Sequence, residues 1–194
     1  MKITLSQGQI IEVKEKTKFK EIVDMYSKNK EIVLCKLNGK YYELDEEILN
    51  EGFLEFIDVN SEIGWKVYAR TLQYIFIKAT LDLFPNATIT IQHSISKGTF
   101  GEIFKDEKLT KDDIEKIKTE MKNLIKRDIP ITKVSVSKEK AINIFRDYKM
   151  EDKIRLLSQI KKDKVSLYEL DGRYDYFYGD MAYSTGIIEA FDLI

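Results

Sequence analysis

Alternating apolar and polar positions predict a small sheet in the first 60 residues. A helix is expected at 17–28, where apolar residues recur at i, i+3, i+4 and i+7 on one helical face, as Phe19, Ile22, Val23 and Tyr26. Strands are expected on both sides of it, at 2–5, 9–13, 31–37, 41–44 and 53–59. Asn38-Gly39 indicates a hairpin, because a type I′ turn needs positive φ at both central residues. The order β-β-α-β-β-β is typical of a β-grasp sheet crossed by one helix.

From residue 61 the pattern changes to longer elements. A helix is expected at 62–83, with one apolar face formed by Leu72, Ile75, Phe76, Ala79 and Leu83 and with Pro85 just beyond its end. Further helices are expected at 111–127, 137–145 and 151–160, and strands at 87–95, 99–104, 131–136, 164–170 and 174–178. Thr110 and Asp113 form a capping box for the helix at 111–127. The sequence therefore predicts an α+β fold with two units, 1–60 and 61–194.

The two strand pairs of the second unit are expected to be hairpins. Lys97-Gly98 joins the strands at 87–95 and 99–104, and Asp171-Gly172 joins those at 164–170 and 174–178. Both pairs carry the glycine that tight turns need.

Charge and cysteine content limit the classes of protein. The 194 residues include 32 basic and 33 acidic side chains, a net charge of −1, so RNA binding would need a local basic face. The single cysteine, Cys35, alternates with apolar residues and is expected in the core. We find no signal peptide and no apolar run of about 18 residues, so we expect a cytoplasmic protein without membrane contact.

The sequence contains no motif for catalysis or for metal binding. There is no phosphate-binding glycine loop and no nucleophile elbow, and one histidine with one cysteine cannot form a zinc site. We therefore predict no catalytic residue and no metal ligand. His93 shares strand parity with Ile89, Ile91 and Ile95, which favours a core histidine. Alternatively it faces a ligand at the turn, where Lys97 would favour an anion.

The order of several segments resembles the front part of threonyl-tRNA synthetases. Residues 1–60 resemble their TGS domain, a β-grasp module, and 61–194 resemble their second, editing-type domain. The segments that carry the resemblance are 70-RTLQYIFIKATLDLFP-85, 97-KGTFGEI-103, 133-KVSVSKEKAINIF-145, 152-DKIRLL-157 and 175-DYFYGDM-181.

The resemblance implies a pocket whose reactive residues are replaced. In the synthetases two histidines on the long helix, and a cysteine and a histidine in a late loop, form the pocket that hydrolyses mischarged tRNA. The corresponding positions here are Arg70, Tyr74, Phe177 and Met181. Arginine is not a general base, and phenylalanine and methionine offer no proton chemistry. We therefore expect synthetase-type editing to be lost.

Two interpretations of this region stay open. The pocket is filled by its new side chains, or it binds a planar or hydroxyl-bearing ligand. In the second case Tyr176, Tyr178, Asp180 and Ser184 would bind the ligand, with Arg70 and Tyr74 facing them from the helix.

The substituted pocket also resembles a second family, the bacterial nucleoside kinases of the uridine kinase type. The similar segments are 92-QHSISKG-98, 151-EDKIRLL-157 and 174-YDYFYGDMAYSTG-186. This resemblance implies a P-loop kinase domain beyond Ile194, which would bind ATP and Mg; no cofactor is expected in residues 1–194.

The leading interpretation is therefore a non-catalytic regulatory region of such a kinase, which binds RNA or a small molecule. The alternatives are a free-standing tRNA-binding module and an editing-type deacylase with His93 as its candidate base.

Overall fold

In the computed structural model, which describes residues 1–95 and 98–194 and only the backbone of 93–95, the first sheet has five strands. The strands are β1 (Lys2–Leu5), β2 (Ile10–Glu12), β3 (Ile32–Leu37), β4 (Lys40–Glu43) and β5 (Gly52–Asp58). Their order is β2-β1-β5-β3-β4, with β1 and β5 parallel and the other neighbours antiparallel. Helix α1 (Phe19–Tyr26) buries Phe19, Ile22 and Val23 in the core of this sheet.

Turn chemistry sets the hairpins of both units. Asn38 and Gly39 have φ of 49° and 86°, and Asp171 and Gly172 have φ of 48° and 82°. These are the positive angles that such residues adopt at low cost. Both hairpins are confirmed, whereas the one predicted at Lys97-Gly98 includes a residue outside the described part of the chain.

The second unit contains a three-stranded antiparallel sheet and a two-stranded ribbon. The sheet has the order β10-β9-β8, with β8 (Thr132–Ser137), β9 (Lys164–Leu170) and β10 (Arg173–Asp175). The ribbon consists of β6 (Thr88–Ile95) and β7 (Gly98–Phe104). The helices are α2 (Glu62–Leu83), α3 (Lys111–Lys126), α4 (Lys138–Asp147) and α5 (Glu151–Gln159).

The predicted caps are present at the helix starts. Thr110 Oγ1 accepts from the Asp113 amide at 3.2 Å, and the Asp113 carboxylate accepts from the Thr110 amide at 3.0 Å. These hydrogen bonds lower the pKa of Asp113, because they favour its ionised form. Ser137 caps α4 in the same way through the Lys140 amide.

Helix α2 is buried on more sides than its predicted apolar face. Leu83, which belongs to the predicted apolar face, is 38% exposed, whereas Thr71, Tyr74 and Lys78 are buried. The reason is that α2 packs against α3 and also against the first sheet, where Val67 lies in one cluster with Val33, Leu34 and Ala182. Because α2 has neighbours on two sides, it buries residues outside the single apolar face that the sequence pattern predicts.

Two further predictions agree with the structure, whereas the core position expected for the His93 side chain lies outside the described residues. The α+β class is confirmed, and Cys35 is buried, which raises the pKa of its thiol to about 12. The strand predicted at 174–178 is shorter, because the chain leaves the sheet after Asp175. None of the described helices has the length and hydropathy to cross a membrane.

Candidate functional site

The four replaced positions lie together, where α2 meets the segment 176–182 that follows β10. Tyr74 is 0% exposed, and its ring packs against Phe177 with centroids 5.0 Å apart. Its hydroxyl lies 2.8 Å from the Tyr168 carbonyl oxygen and 2.6 Å from that of Arg173. Burial raises the pKa of Tyr74 far above its usual range, so the phenol stays protonated.

Arg70 is engaged by the backbone of the same segment. Its guanidinium donates to the Asp180 carbonyl oxygen and lies directly against Gly179. A Cβ at Gly179, where φ is 109°, would be 2.7 Å from Arg70 Nη2. Glycine is therefore required there both for the backbone angle and for the approach of the guanidinium.

Met181 fills the fourth position. It is buried, and its sulfur lies 3.8 Å from Thr71 Oγ1, which also accepts from the Ala182 amide at 3.1 Å. The four side chains thus occupy the place where the resemblance implies a reactive pocket.

The segment is fixed at both ends. Asp175 is fully buried, and its Oδ1 accepts from Lys153 Nζ at 2.9 Å and from the Tyr176 amide at 2.7 Å. At the other end the Met181 amide donates to Glu43 Oε1 at 2.8 Å. Because Glu43 lies at the end of β4, the first unit takes part in holding this segment.

Beside these four side chains lies an open cleft of about 670 Å³. Four lysines, four aromatic residues and one carboxylate line it: Lys133, Lys161, Lys162, Lys164, Tyr168, Tyr176, Phe177, Tyr178 and Asp180. Tyr178 is 91% exposed and Tyr176 is half-buried. The cleft therefore combines a local excess of positive charge with an accessible aromatic ring.

A buried carboxylate contacts two of the residues that line the cleft, Tyr168 and Lys133. Glu43 is 5% exposed, and its Oε1 lies 2.5 Å from the Tyr168 hydroxyl while its Oε2 lies 3.1 Å from Lys133 Nζ. Desolvation raises the pKa of Glu43, against the opposing effect of these hydrogen bonds and of the lysine. Burial and the neighbouring carboxylate likewise raise the pKa of Tyr168 above its usual range.

The predicted ligand residues are only partly brought together. Tyr176, Tyr178 and Asp180 line the cleft, but Arg70 and Tyr74 are used by the contacts described above. Ser184 lines a different cavity, of about 680 Å³, next to α1, and its hydroxyl donates to Asp128 Oδ1 at 2.5 Å. Lys97 and the side chain of His93 lie outside the described residues.

Sequence reasoning missed the residues that give the cleft its charge. Lys161, Lys162 and Lys164 form the run 161-KKDK-164, which was a usable signal. Glu43 and Lys133 had no such signal, since they meet only in the fold. Within the described part of the chain, no three His, Cys, Asp or Glu side chains are grouped to hold a metal ion.

Over nearly its whole length this α+β chain is similar to threonine–tRNA ligases. The chain is 31% identical to the threonine–tRNA ligase of Clostridium tetani over 195 residues, which is 99% of the chain and 30% of that protein. It is 30% identical to the enzyme of Syntrophotalea carbinolica and 29% identical to that of Desulforamulus reducens, over 197 residues in each case. Each of these alignments covers 100% of the chain and 31% of the relative.

These relatives support the resemblance over the whole chain. The chain spans about a third of their length, so the activity of the complete enzymes cannot be assigned to it from this similarity. No protein-family model matches the chain.

Proposed function

We propose that this chain binds the acceptor end of a tRNA and does not hydrolyse an ester bond on it. The observation that carries the proposal is that Tyr74 packs against Phe177, with Arg70 and Met181 beside them. According to the resemblance, threonyl-tRNA synthetases have the reactive groups of their editing pocket at these four positions. The kinship with threonine–tRNA ligases supports tRNA as the class of ligand.

The loss of hydrolysis follows from the chemistry of the replacements. A deacylase needs a group that takes a proton from water at neutral pH. Arg70 stays charged, Phe177 and Met181 do not exchange protons, and the Tyr74 phenol is held neutral by burial. The neighbouring carboxylate, Asp175, forms a buried ion pair with Lys153.

The open cleft suits the end of a single strand. Its lysines would contact phosphates, and Tyr178 would stack on a base, a contact worth about 1–3 kcal/mol per base in single-strand binding proteins. The positive charge is local, which agrees with a chain whose net charge is only −1.

A binding measurement with matched variants tests this proposal. We expect labelled tRNA to bind the full chain, with an affinity that falls steeply from about 50 mM to about 200 mM salt as counterions are released. K161Q/K162Q/K164Q should weaken binding and flatten the salt slope. K2Q/K14Q/K16Q removes the same charge from exposed lysines of the first unit and should leave both unchanged. Equal loss in the two triple variants, or no binding, would refute the proposal.

The domain assignment is part of the same proposal. We infer that residues 1–60 are a TGS domain of the β-grasp type and that 61–194 correspond to the editing-type domain, in a cytoplasmic protein. The five-stranded sheet crossed by α1 supports the first assignment. Expression of 1–60 alone, followed by thermal unfolding, tests whether this unit folds independently.

A second proposal is that the chain is the front part of a uridine kinase-type nucleoside kinase. It rests on the filled pocket and on the similarity of 151–157 and 174–186 to that family. ATP and Mg would then be bound by a kinase domain beyond Ile194, and the cleft would bind RNA or a small molecule as a regulator. Sequencing the gene past the codon for Ile194 tests it, because the kinase requires a phosphate-binding glycine loop downstream.

A further inference from the structure

Glu43, at the end of β4, contacts two residues that line the cleft. Its carboxylate accepts from the Met181 amide, contacts the Tyr168 hydroxyl and lies 3.1 Å from Lys133 Nζ. One side chain therefore holds the 179–181 segment and a cleft lysine at the same time.

The hydrogen bonds around Tyr168 depend on the protonation of Glu43. The Tyr168 hydroxyl lies 2.5 Å from Glu43 Oε1 and 2.8 Å from the Gly179 carbonyl oxygen. It has one hydrogen, so with an ionised Glu43 it serves only one of these two acceptors. If Glu43 carries a proton, it donates to Tyr168, and Tyr168 donates to Gly179, so that both contacts become hydrogen bonds.

The charge on this wall depends on the same proton. Lys133 Nζ lies 3.1 Å from Glu43 and 3.8 Å from Asp180 Oδ1. Two ionised carboxylates outweigh the one ammonium group, which opposes a phosphate at this position. Protonation of Glu43 removes one negative charge and frees Lys133 for a phosphate.

We propose that Glu43 is a positioning residue of the RNA-binding cleft, which takes up a proton when RNA binds and thereby releases Lys133 to a phosphate. This inference rests on the proposed function. The groups that face Glu43 from the neighbouring elements are Tyr168 on β9 and Lys133 on β8, and Asp180 after β10 contacts Lys133. Arg70 of α2 acts on Tyr168 behind them.

The sign of the coupling follows from linkage. A phosphate beside Lys133 favours the neutral form of Glu43, so it raises the pKa of that carboxyl and binding consumes a proton. RNA affinity is then higher at low pH and falls as pH rises through the pKa of Glu43. If RNA raises that pKa by about one unit, the affinity changes up to about tenfold.

The first test needs no RNA. The Met181 amide donates to Glu43 Oε1, so its nitrogen and proton NMR shifts report the ionisation of that carboxyl. We expect a titration midpoint above about 4.3, the ordinary value for glutamate, in the wild type and no such titration in E43Q. A midpoint at or below the ordinary value would overturn the inference.

The second test measures the coupling itself. The affinity for a fluorescein-labelled single-stranded RNA 12-mer, read by anisotropy, is compared at about pH 5.5 and about pH 7.5. We expect the wild type to bind more tightly at the lower pH and E43Q to bind equally at both. E47Q, which changes an exposed glutamate four positions further along the chain, should behave as the wild type. His93 is present in all three proteins, so any effect it has on the pH dependence of RNA affinity is common to them and does not alter the comparison.

The outcomes separate the two proposals. If the wild type does not bind RNA, the proposed function fails. If it binds RNA with the same pH ratio as E43Q, only the role of Glu43 is refuted. A purely structural role of Glu43 would lower the stability of E43Q without changing the pH ratio.

Discussion

The ring of Tyr74 packs against that of Phe177, with centroids 5.0 Å apart and planes inclined by 55°. The two residues come from α2 and from the segment after β10, so their contact joins the long helix to the wall of the cleft. The Tyr74 hydroxyl also lies within hydrogen-bond distance of the Tyr168 and Arg173 carbonyl oxygens. The ring and the hydroxyl of Tyr74 are therefore both engaged in contacts that stabilise the fold.

Tyr74→Phe is expected to reduce stability. The substitution removes the one hydroxyl hydrogen that the carbonyl oxygens of Tyr168 and Arg173 share, and a buried polar group without a partner costs about 1–3 kcal/mol. Urea unfolding measures the loss. Tyr178→Phe removes a hydroxyl from a 91% exposed residue and should change the free energy of unfolding by less than about 0.5 kcal/mol. Equal effects would contradict the structural role of Tyr74.

Gly179→Ala is expected to displace Arg70. The new Cβ would clash with the guanidinium. The alanine would also be held at an unfavourable positive φ, which alone costs roughly 1–2 kcal/mol. Gly8→Ala is the matched control, since Gly8 has a φ of 87° and nothing within 4 Å of its added Cβ. We expect Gly179→Ala to lose more stability than Gly8→Ala in thermal unfolding. A loss equal to that of the control would show that Arg70 moves away without cost.

Glu43 is expected to make stability depend on pH. Its pKa is raised in the folded state, so between its unfolded and folded pKa values the folded protein binds more protons than the unfolded chain. Stability therefore falls as pH rises through this window, relative to E43Q, and the penalty is absent below the unfolded value of about 4.3. Urea unfolding of both proteins from about pH 4 to about pH 7.5 measures the difference. Parallel pH curves for the two proteins would contradict it.

The purified protein is expected to contain no stoichiometric zinc. The four positions of the resemblance hold Arg70, Tyr74, Phe177 and Met181, none of which is a zinc ligand of structural or catalytic sites. Elemental analysis of protein purified without chelators measures the content. One zinc per chain would mean that these positions are not the ones that correspond to the synthetase pocket.

Local sequence signals predicted most of the fold. The Asn38-Gly39 and Asp171-Gly172 turns and the Thr110 cap depend on residues close in sequence, and all three are confirmed. The structure brings together the side chains of Arg70, Tyr74, Phe177 and Met181, the four positions that the resemblance singled out.

Contacts between distant parts of the chain could not be predicted in the same way. The Glu43 contacts with Tyr168 and Met181 join residues 125 and 138 positions apart, so no local pattern indicates them. The burial of Tyr74 and Lys78 follows from the packing of α2 on two neighbours, which hydrophobic periodicity does not reveal. Ser184, grouped with Tyr178 in the sequence, lies in another cavity because the chain turns at the buried Met181 and Ala182.

The most direct test of binding without hydrolysis is a single-turnover assay with mischarged threonine tRNA. Excess protein is mixed with the labelled aminoacyl-tRNA, and the bound fraction and the surviving ester are measured in the same samples. We expect the tRNA to be bound and its ester to decay at the rate seen without protein. Faster release of the amino acid, especially if His93→Ala abolishes it, would contradict the claim that the pocket has lost its chemistry.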